Sequence, residues 1–416
     1  MSLKHLILKQ KDALLCIIDQ GIVSVASFAT SVLIGRNAPE ELGVYYIVWS
    51  IVYFVRGLQQ QMILTPYTIF HHQHQNGELD SYRGSCLTQQ LGLTTLASLF
   101  LVGTTITASL GWLESPIVFP LIVLLFLLPA LLMREVVRQY CFAHQENVSV
   151  LAIDSVIGVL QIGFIVALGH FEFLSGVSAW AVIGLACFVT LTLWYIQNGP
   201  KISFEKSRLG TDWNQNWGFG KWAVGGQVVG SLPTYCIPWL LATVAGVEGT
   251  GFFAAVVTLV GVANIFNTGM ANFLTPRAAK VYVEEGKQGL RRVIIRVSLL
   301  FLVTIGAFCA LLAFFGEPIA TQLFGDRYAG LQTAITIMAI ATLFDSFTIV
   351  ASNGLFVLEK IKANFWIDVV LMIITVVSAV LLILPFGVMG AVWTTLISSA
   401  TSASLRLILL TVCLRK

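Results

Sequence analysis

"GVYYIVWSIVYFVRGLQQQMILTPYTIF" (43–70) and "GFFAAVVTLVGVANIFNTGMANFLTPRAA" (251–279) repeat one pattern. Each opens on Gly with aromatics, runs apolar, and closes on Leu-Thr-Pro, at 64–66 and 274–276. Each then enters a polar, Gly-containing stretch, "HHQHQNGELDSYR" (71–83) and "KVYVEEGKQGLRR" (280–292). The apolar runs reach the ~20 residues that cross ~30 Å of hydrocarbon. Proline removes a backbone donor, so each is read as a helix ending at its Pro, followed by an interfacial segment.

Runs of this kind fill the chain. It has 416 residues, 57% hydrophobic and 11% charged, with a mean hydropathy of +0.85. Soluble domains carry about 25% charged residues. The expected fold is all-α and polytopic, because a β-barrel shows short alternating strands instead. About twelve spans are expected: 13–34, 43–68, 86–110, 117–137, 149–169, 176–196, 221–244, 249–275, 293–315, 328–354, 364–385 and 388–411. The N-terminal apolar run lacks a small-residue cleavage site and reads as a retained first span.

Charge tests that count. With the N-terminus placed in the cytoplasm, all of the 24 Lys+Arg except Arg36, Arg327 and Arg56 fall on inner loops or inner helix ends. The positive-inside rule therefore supports an even number of spans with both termini cytoplasmic. The two repeated stretches become the second and eighth spans. This gives two pseudo-symmetric six-helix lobes around a central cavity: 1–197, a linker over 198–220, and 221–416. Repeats of this kind are typical of transporters that bind between lobes and alternate access.

Three histidines, His71, His72 and His74, follow Pro66. The equivalent stretch of the repeat has none, so they read as a solvated interfacial segment rather than a metal site. The seven cysteines are scattered singly, without a CxxC pair, and read as small apolar packing residues. No phosphate loop, catalytic cluster, metal motif or nucleic-acid-binding signature is present, and no cofactor is implied. H⁺ or Na⁺ coupling stays open.

Polar groups within spans carry the functional signal, because burying each one costs free energy. Arg56 lies near a midplane. Helical spacing puts Tyr46, Trp49, Tyr53, Arg56 and Gln60 on one face. Aromatic plates suit sugar rings, and a guanidinium suits a phosphate; pairing to a neighbouring helix is the structural alternative. Three roles are open for Asp19: a partner for Arg56, a carrier of the coupling proton, or a helix-end residue that snorkels to the surface. Asn264, Thr268 and Asn272 share a face of the eighth span, with Asn267 close by, as hydroxyl-binding or packing amides. Asp345, flanked by Thr342 and Thr348, is a candidate ion-coupling carboxylate. Arg134 and Arg138, one turn apart, either receive an anionic head group or snorkel at the inner surface. Pro233 and Pro238 are expected to kink the seventh span.

Three stretches, "DQGIVSVASFATSVLIGRNAPEELGVYYIVWSIVYFVRGLQ" (19–59), "REVVRQYCFAHQENVSVLAIDSV" (134–156) and the region 218–286, carry a resemblance. They resemble the polysaccharide-exporter and O-antigen flippase branch of the multidrug/oligosaccharidyl-lipid/polysaccharide (MOP) exporter superfamily. The resemblance implies twelve or fourteen helices in two lobes around a cation-lined cavity. It also implies movement of undecaprenyl-diphosphate-linked oligosaccharide across the bacterial inner membrane, without ATP hydrolysis. Arg56 would then meet diphosphate or acidic sugar, though relatives with a strongly basic cavity carry more arginines than this chain holds deep in its spans. Implied partners are the lipid-linked oligosaccharide, membrane lipids, a polysaccharide polymerase and glycosyltransferases. The rival readings are a cation-coupled multidrug or metabolite antiporter of the same superfamily, and a membrane-embedded polysaccharide polymerase; short outer loops argue against the last.

Overall fold

The computed structural model describes the backbone of residues 3–74, 77–112 and 115–415. Side chains are described from residue 14 onward, apart from 75–76, 111–115, 271–273, 275–276 and 416. The described elements are helical: α1 (Leu3–Asn37), α2 (Pro39–Gln59), α3 (Thr65–Phe70), α4 (Gly77–Thr107), α5 (Val118–Ala143), α6 (Asn147–His170), α7 (Gly176–Asn198), α8 (Lys206–Gly261), α9 (Ala263–Phe324), α10 (Gln332–Val357) and α11 (Ile361–Arg415). Among the described residues, ten helices are long and apolar enough to cross a membrane.

Three of these helices run past 50 residues, far beyond one bilayer crossing. Each is interrupted by a glycine with positive φ: Gly246 (φ 70°), Gly286 (φ 65°) and Gly387 (φ 52°). Only glycine enters that region without steric cost. At Gly387 the break makes an antiparallel hairpin, since Thr375 bonds Ser398 at 2.8 Å and Asp368 pairs with Arg406. Segments 361–386 and 388–415 therefore occupy the places of the expected eleventh and twelfth spans. Gly246 likewise separates the seventh span from the eighth.

The chain divides into two compact units: 1–37 with 44–228, and 38–43 with 229–416. In the first, α1 packs on α6, and α5 packs on α4 and α7. In the second, α10 packs between α9 and α11. The first residues of α2 thus belong to the second unit. Gly43 and Gly251, the opening residues of the repeated stretches, are why. A Cβ on Gly43 would sit 1.8 Å from the Val247 carbonyl oxygen, and one on Gly251 would sit 1.8 Å from the Pro39 carbonyl oxygen. Each glycine presses on the backbone one helical turn before the other. The two repeats cross here backbone to backbone, and only residues without a side chain permit it.

The expected helix ends at Pro66 and Pro276 are corrected. The chain stays helical through both. Before Pro66 it widens into a π-helical turn, Gln60–Leu64, in which the Thr65 N–H bonds the Gln60 carbonyl. Pro66 then falls in the first turn of α3, where its missing N–H is not needed. The first stretch continues helically to Gln73, and the second breaks at Gly286. Pro233 and Pro238 lie within α8, whose described non-helical residue is Gly246.

Gly43→Ala and Gly251→Ala are each expected to lower stability by about 1–3 kcal/mol, the usual cost of overpacking. Gly92→Ala and Gly103→Ala, where an added Cβ meets nothing within 4 Å, serve as controls expected to show no loss. Thermal unfolding of the purified protein in detergent distinguishes the two pairs, and equal midpoints would contradict the close crossing.

Candidate functional site

Four helices of the first unit bring ionisable side chains together inside the membrane-spanning region. α2 contributes Arg56, α5 contributes Arg134, Glu135 and Arg138, α6 contributes Asp154, and α1 contributes Asp19. Arg56 Nη2 lies 2.5 Å from Glu135 Oε1. The other oxygen of Glu135 is 3.5 Å from Arg138 Nη1. Arg138 also reaches Asp19 (Nη2–Oδ2, 2.9 Å) and Asp154 (Nε–Oδ2, 2.7 Å). Arg134 donates twice to Asp154 Oδ1, from Nη2 at 2.6 Å and Nε at 3.0 Å.

Three guanidiniums face three carboxylates, so the cluster is neutral. That balance is what low dielectric demands, because an unpaired charge there costs far more than a paired one. The Asp154 side chain has no exposed surface, whereas Arg56 retains 23% and Glu135 13%. Asp154 holds two arginines at once and is the keystone of the network.

The expected aromatic face on α2 is present. Trp49 stacks between Tyr46 (5.3 Å between ring centres) and Tyr53 (4.1 Å). The Arg56 guanidinium lies 4.8 Å from the Tyr53 ring centre. Trp49, Tyr53, Arg56, Arg134 and Glu135 line a small cavity of about 60 Å³ within the first unit. Gln60 instead donates to Thr65 Oγ1 at 3.2 Å across the π turn. Its neighbour Gln59 is the buried one, donating to Gln90 Oε1 (2.9 Å) and to the Leu132 carbonyl (2.8 Å).

Several expectations are corrected. Asp19 pairs with Arg138, and Glu135 takes the place expected for it beside Arg56. Arg134 and Arg138 are mostly buried and bound to carboxylates, so neither snorkels. Arg406, read as an inner-end charge, is 5% exposed and paired with Asp368. The histidine segment is not uniformly solvated: His71 is buried and stacks on Tyr67, with ring centres 5.6 Å apart. Among the described residues no cluster of three metal-ligating side chains exists.

The second unit holds a polar cavity of about 280 Å³ lined by Asp345, Thr348, Asp368, Ser398, Ser399 and Arg406, among others. Asp345 is exposed although it lies in the middle of α10, so its carboxylate opens onto this cavity. Ser399 lines the same cavity. Arg406 Nε donates to Asn364 Oδ1 at 2.8 Å. Such a set of carboxylates and hydroxyls can hold a proton or a hard monovalent cation. Of the expected amides, Asn264 is exposed and Asn267 is buried, accepting from the Ser346 hydroxyl at 2.9 Å. The Asn272 side chain lies outside the described residues.

Sequence reasoning missed Glu135, Asp154, Asp368 and the burial of Arg406. A signal for the first two was present: "MREVVRQ" sets an acid between two arginines, and "LAIDSV" sets a carboxylate in an apolar run.

No protein-family model matches the chain. Among curated proteins it is similar to the capsular polysaccharide biosynthesis protein CapF of Staphylococcus aureus, 24% identical over 173 residues. That match covers 41% of this chain and 43% of the relative. Among solved structures it is similar to a multidrug resistance MATE family transporter of the MOP superfamily in its inward-facing conformation. The TM-score is 0.79 at 16% identity, covering 94% of each chain. A MOP superfamily transporter from Pyrococcus furiosus, described as having a binding pocket of reverse polarity that suggests a different function, matches with a TM-score of 0.67 at 14% identity over 97% of this chain and 95% of that one. The chain therefore has the all-α fold of MOP superfamily transporters. These structural neighbours are transporters, not enzymes.

Asp154→Asn strips the partner from Arg134 and weakens that of Arg138. Breaking a buried pair by removing one member costs about 3–5 kcal/mol, so this variant is expected to lose most of its folded yield in detergent. Ser155→Ala, next in sequence but outside the network, is expected to behave as wild type. Size-exclusion profiles of the two variants provide the check.

Proposed function

We propose that the protein exports a lipid-linked oligosaccharide, carried on undecaprenyl diphosphate, across the bacterial cytoplasmic membrane for surface polysaccharide synthesis. The observation that carries this reading is the 173-residue similarity to a capsular polysaccharide biosynthesis protein on a chain with a MOP transporter fold. The stacked Tyr46, Trp49 and Tyr53 rings support it, since aromatic faces suit the apolar faces of sugars. Arg56 enters as a guanidinium already neutralised by Glu135. An incoming diphosphate or acidic sugar competes with that carboxylate, so binding exchanges one anion for another without stranding a charge. Both termini are assigned to the cytoplasm, with glycosyltransferases acting before the export step and a polymerase after it.

Energy enters through a cation. Asp345 and the hydroxyls around it in the second unit, together with Asp19 beside Arg138 in the first, are the coupling candidates. The same carboxylates favour a second reading, a cation-coupled drug or metabolite antiporter, which the MATE-like fold accommodates equally well.

Trp49→Ala and Tyr53→Ala are expected to reduce surface polymer at least tenfold in cells that depend on this protein, at unchanged protein level in the membrane. Wild-type polymer in both variants would remove the aromatic face from the mechanism. Raised drug resistance on expression, with polymer unaffected by deletion, would replace the export reading by antiport. Asp345→Asn is expected to abolish the dependence of transport on the ion gradient in proteoliposomes under either reading; unchanged gradient dependence would exclude Asp345 as the coupling site.

A further inference from the structure

A third cavity lies within the first unit, apart from the ion network. It holds about 610 Å³ and is lined mainly by residues of α4, α5 and α7, with Tyr67 of α3 and the segment after α7. That is within the ~300–1,000 Å³ typical of small-molecule sites. Its walls are almost all carbon: Leu87, Phe126, Met133, Val136 and Phe188 are among them. Phe126, Phe188 and Ile196, which also line it, are exposed. On helices that span a membrane, such exposed side chains face acyl chains.

One end of the cavity differs. Arg83, Tyr140 and Trp194 meet there. The Arg83 guanidinium lies 5.2 Å from the Tyr140 ring centre, and Tyr140 meets Trp194 edge-on with ring centres 5.8 Å apart. Arg83 Nη1 donates to Asp80 Oδ1 at 2.8 Å and to the Lys201 carbonyl at 3.5 Å. Its Nη2 lies 3.0 Å from His144 Nε2. The Nε–H of Arg83 is buried with no hydrogen-bond partner, as is Trp194 Nε1. The Tyr67 hydroxyl, which also lines the cavity, is buried without a hydrogen bond as well, so three polar groups at this end of a carbon-walled pocket have unused hydrogen-bonding capacity. Buried donors are rarely left so. Asp80 offsets one positive charge, and the exposed Lys201 restores it. The distribution of Lys and Arg puts this end at the cytoplasmic surface.

We infer that this cavity is a binding site for one anionic phospholipid of the inner leaflet. An acyl chain fills the apolar trough, and the phosphate accepts from Arg83 and Trp194. A lipid with these two parts satisfies both donors and covers the carbon walls, and basic pockets between spans at the cytoplasmic side suit anionic head groups. The site is separate from the residues assigned to substrate and to ion coupling.

Native mass spectrometry of the full chain in detergent tests this, using dioleoylphosphatidylglycerol and dioleoylphosphatidylcholine as probes. Both lipids offer the same phosphate, but the choline cation of phosphatidylcholine is repelled by Arg83 and Lys201, so one phosphatidylglycerol is expected to be retained about tenfold more tightly. Arg83→Gln is expected to erase that preference. Trp194→Phe, which keeps the ring and removes the N–H, is expected to weaken retention several-fold, and Ala130→Phe, which fills the trough, to abolish it. Variants are compared only where their thermal midpoint in detergent matches wild type, and the Trp194→Phe change keeps the test open if Arg83→Gln fails to fold. Equal retention of the two lipids, or unchanged retention in folded Arg83→Gln or Trp194→Phe protein, would overturn the inference. So would displacement of phosphatidylglycerol by millimolar inorganic phosphate, since a chainless anion would then suffice.

Discussion

A charge within a bilayer-spanning bundle must bring its own counter-charge, and the first unit is organised around that requirement. Arg56, Arg134 and Arg138 find Glu135, Asp154 and Asp19 on neighbouring helices. Because Asp154 binds two arginines and Arg138 touches all three acids, no member can leave without exposing another. The network fixes α1, α2, α5 and α6 relative to one another more specifically than apolar packing does. In hydrocarbon, one apolar face packs much like another.

The same constraint limits what the use proposed for the cluster can require. A neutral, interlocked set can accept an anion, or release a proton, only by exchanging partners. Arg56 and Glu135 retain some exposure while Asp154 has none. The exchangeable end is therefore at α2, beside the stacked rings, and the fixed end is at α6. The second unit follows a different plan. Its Asp345 is exposed to a cavity rich in hydroxyls and has no arginine bound to it in the manner of Asp154. The first unit thus binds its buried carboxylates to arginines, whereas the second pairs Asp368 with Arg406 and leaves Asp345 facing the cavity.

Much of the fold was legible in the sequence. Spans of about 20 apolar residues and an asymmetric spread of Lys and Arg report on the bilayer directly, because the constraint acts on each segment alone. The glycine-opened repeat was legible for the same reason, although its purpose, a backbone crossing at Gly43 and Gly251, needs three dimensions. Pro66 was misread because its local effect depends on the turn before it: a π turn over Gln60–Leu64 lets the helix pass. In the site, the α2 face of Tyr46, Trp49, Tyr53 and Arg56 could be read from helical periodicity. The partners could not. Which carboxylate neutralises Arg56 is a matter of which helix lies beside α2, and sequence spacing carries no such information. Arg406 was placed at a helix end by the same limit, since its partner Asp368 is joined to it only through the hairpin at Gly387.

The most direct measurement of the central claim is the coupling energy between Arg56 and Glu135, obtained from the unfolding stabilities of Arg56→Gln, Glu135→Gln and the double variant. A mutually neutralising pair predicts that each single change is costly, that the double change recovers much of the loss, and that the coupling exceeds 1 kcal/mol, as for residues in one ion-pair network, where roughly 0.5–3 kcal/mol is usual. Additive losses with no coupling would contradict the account.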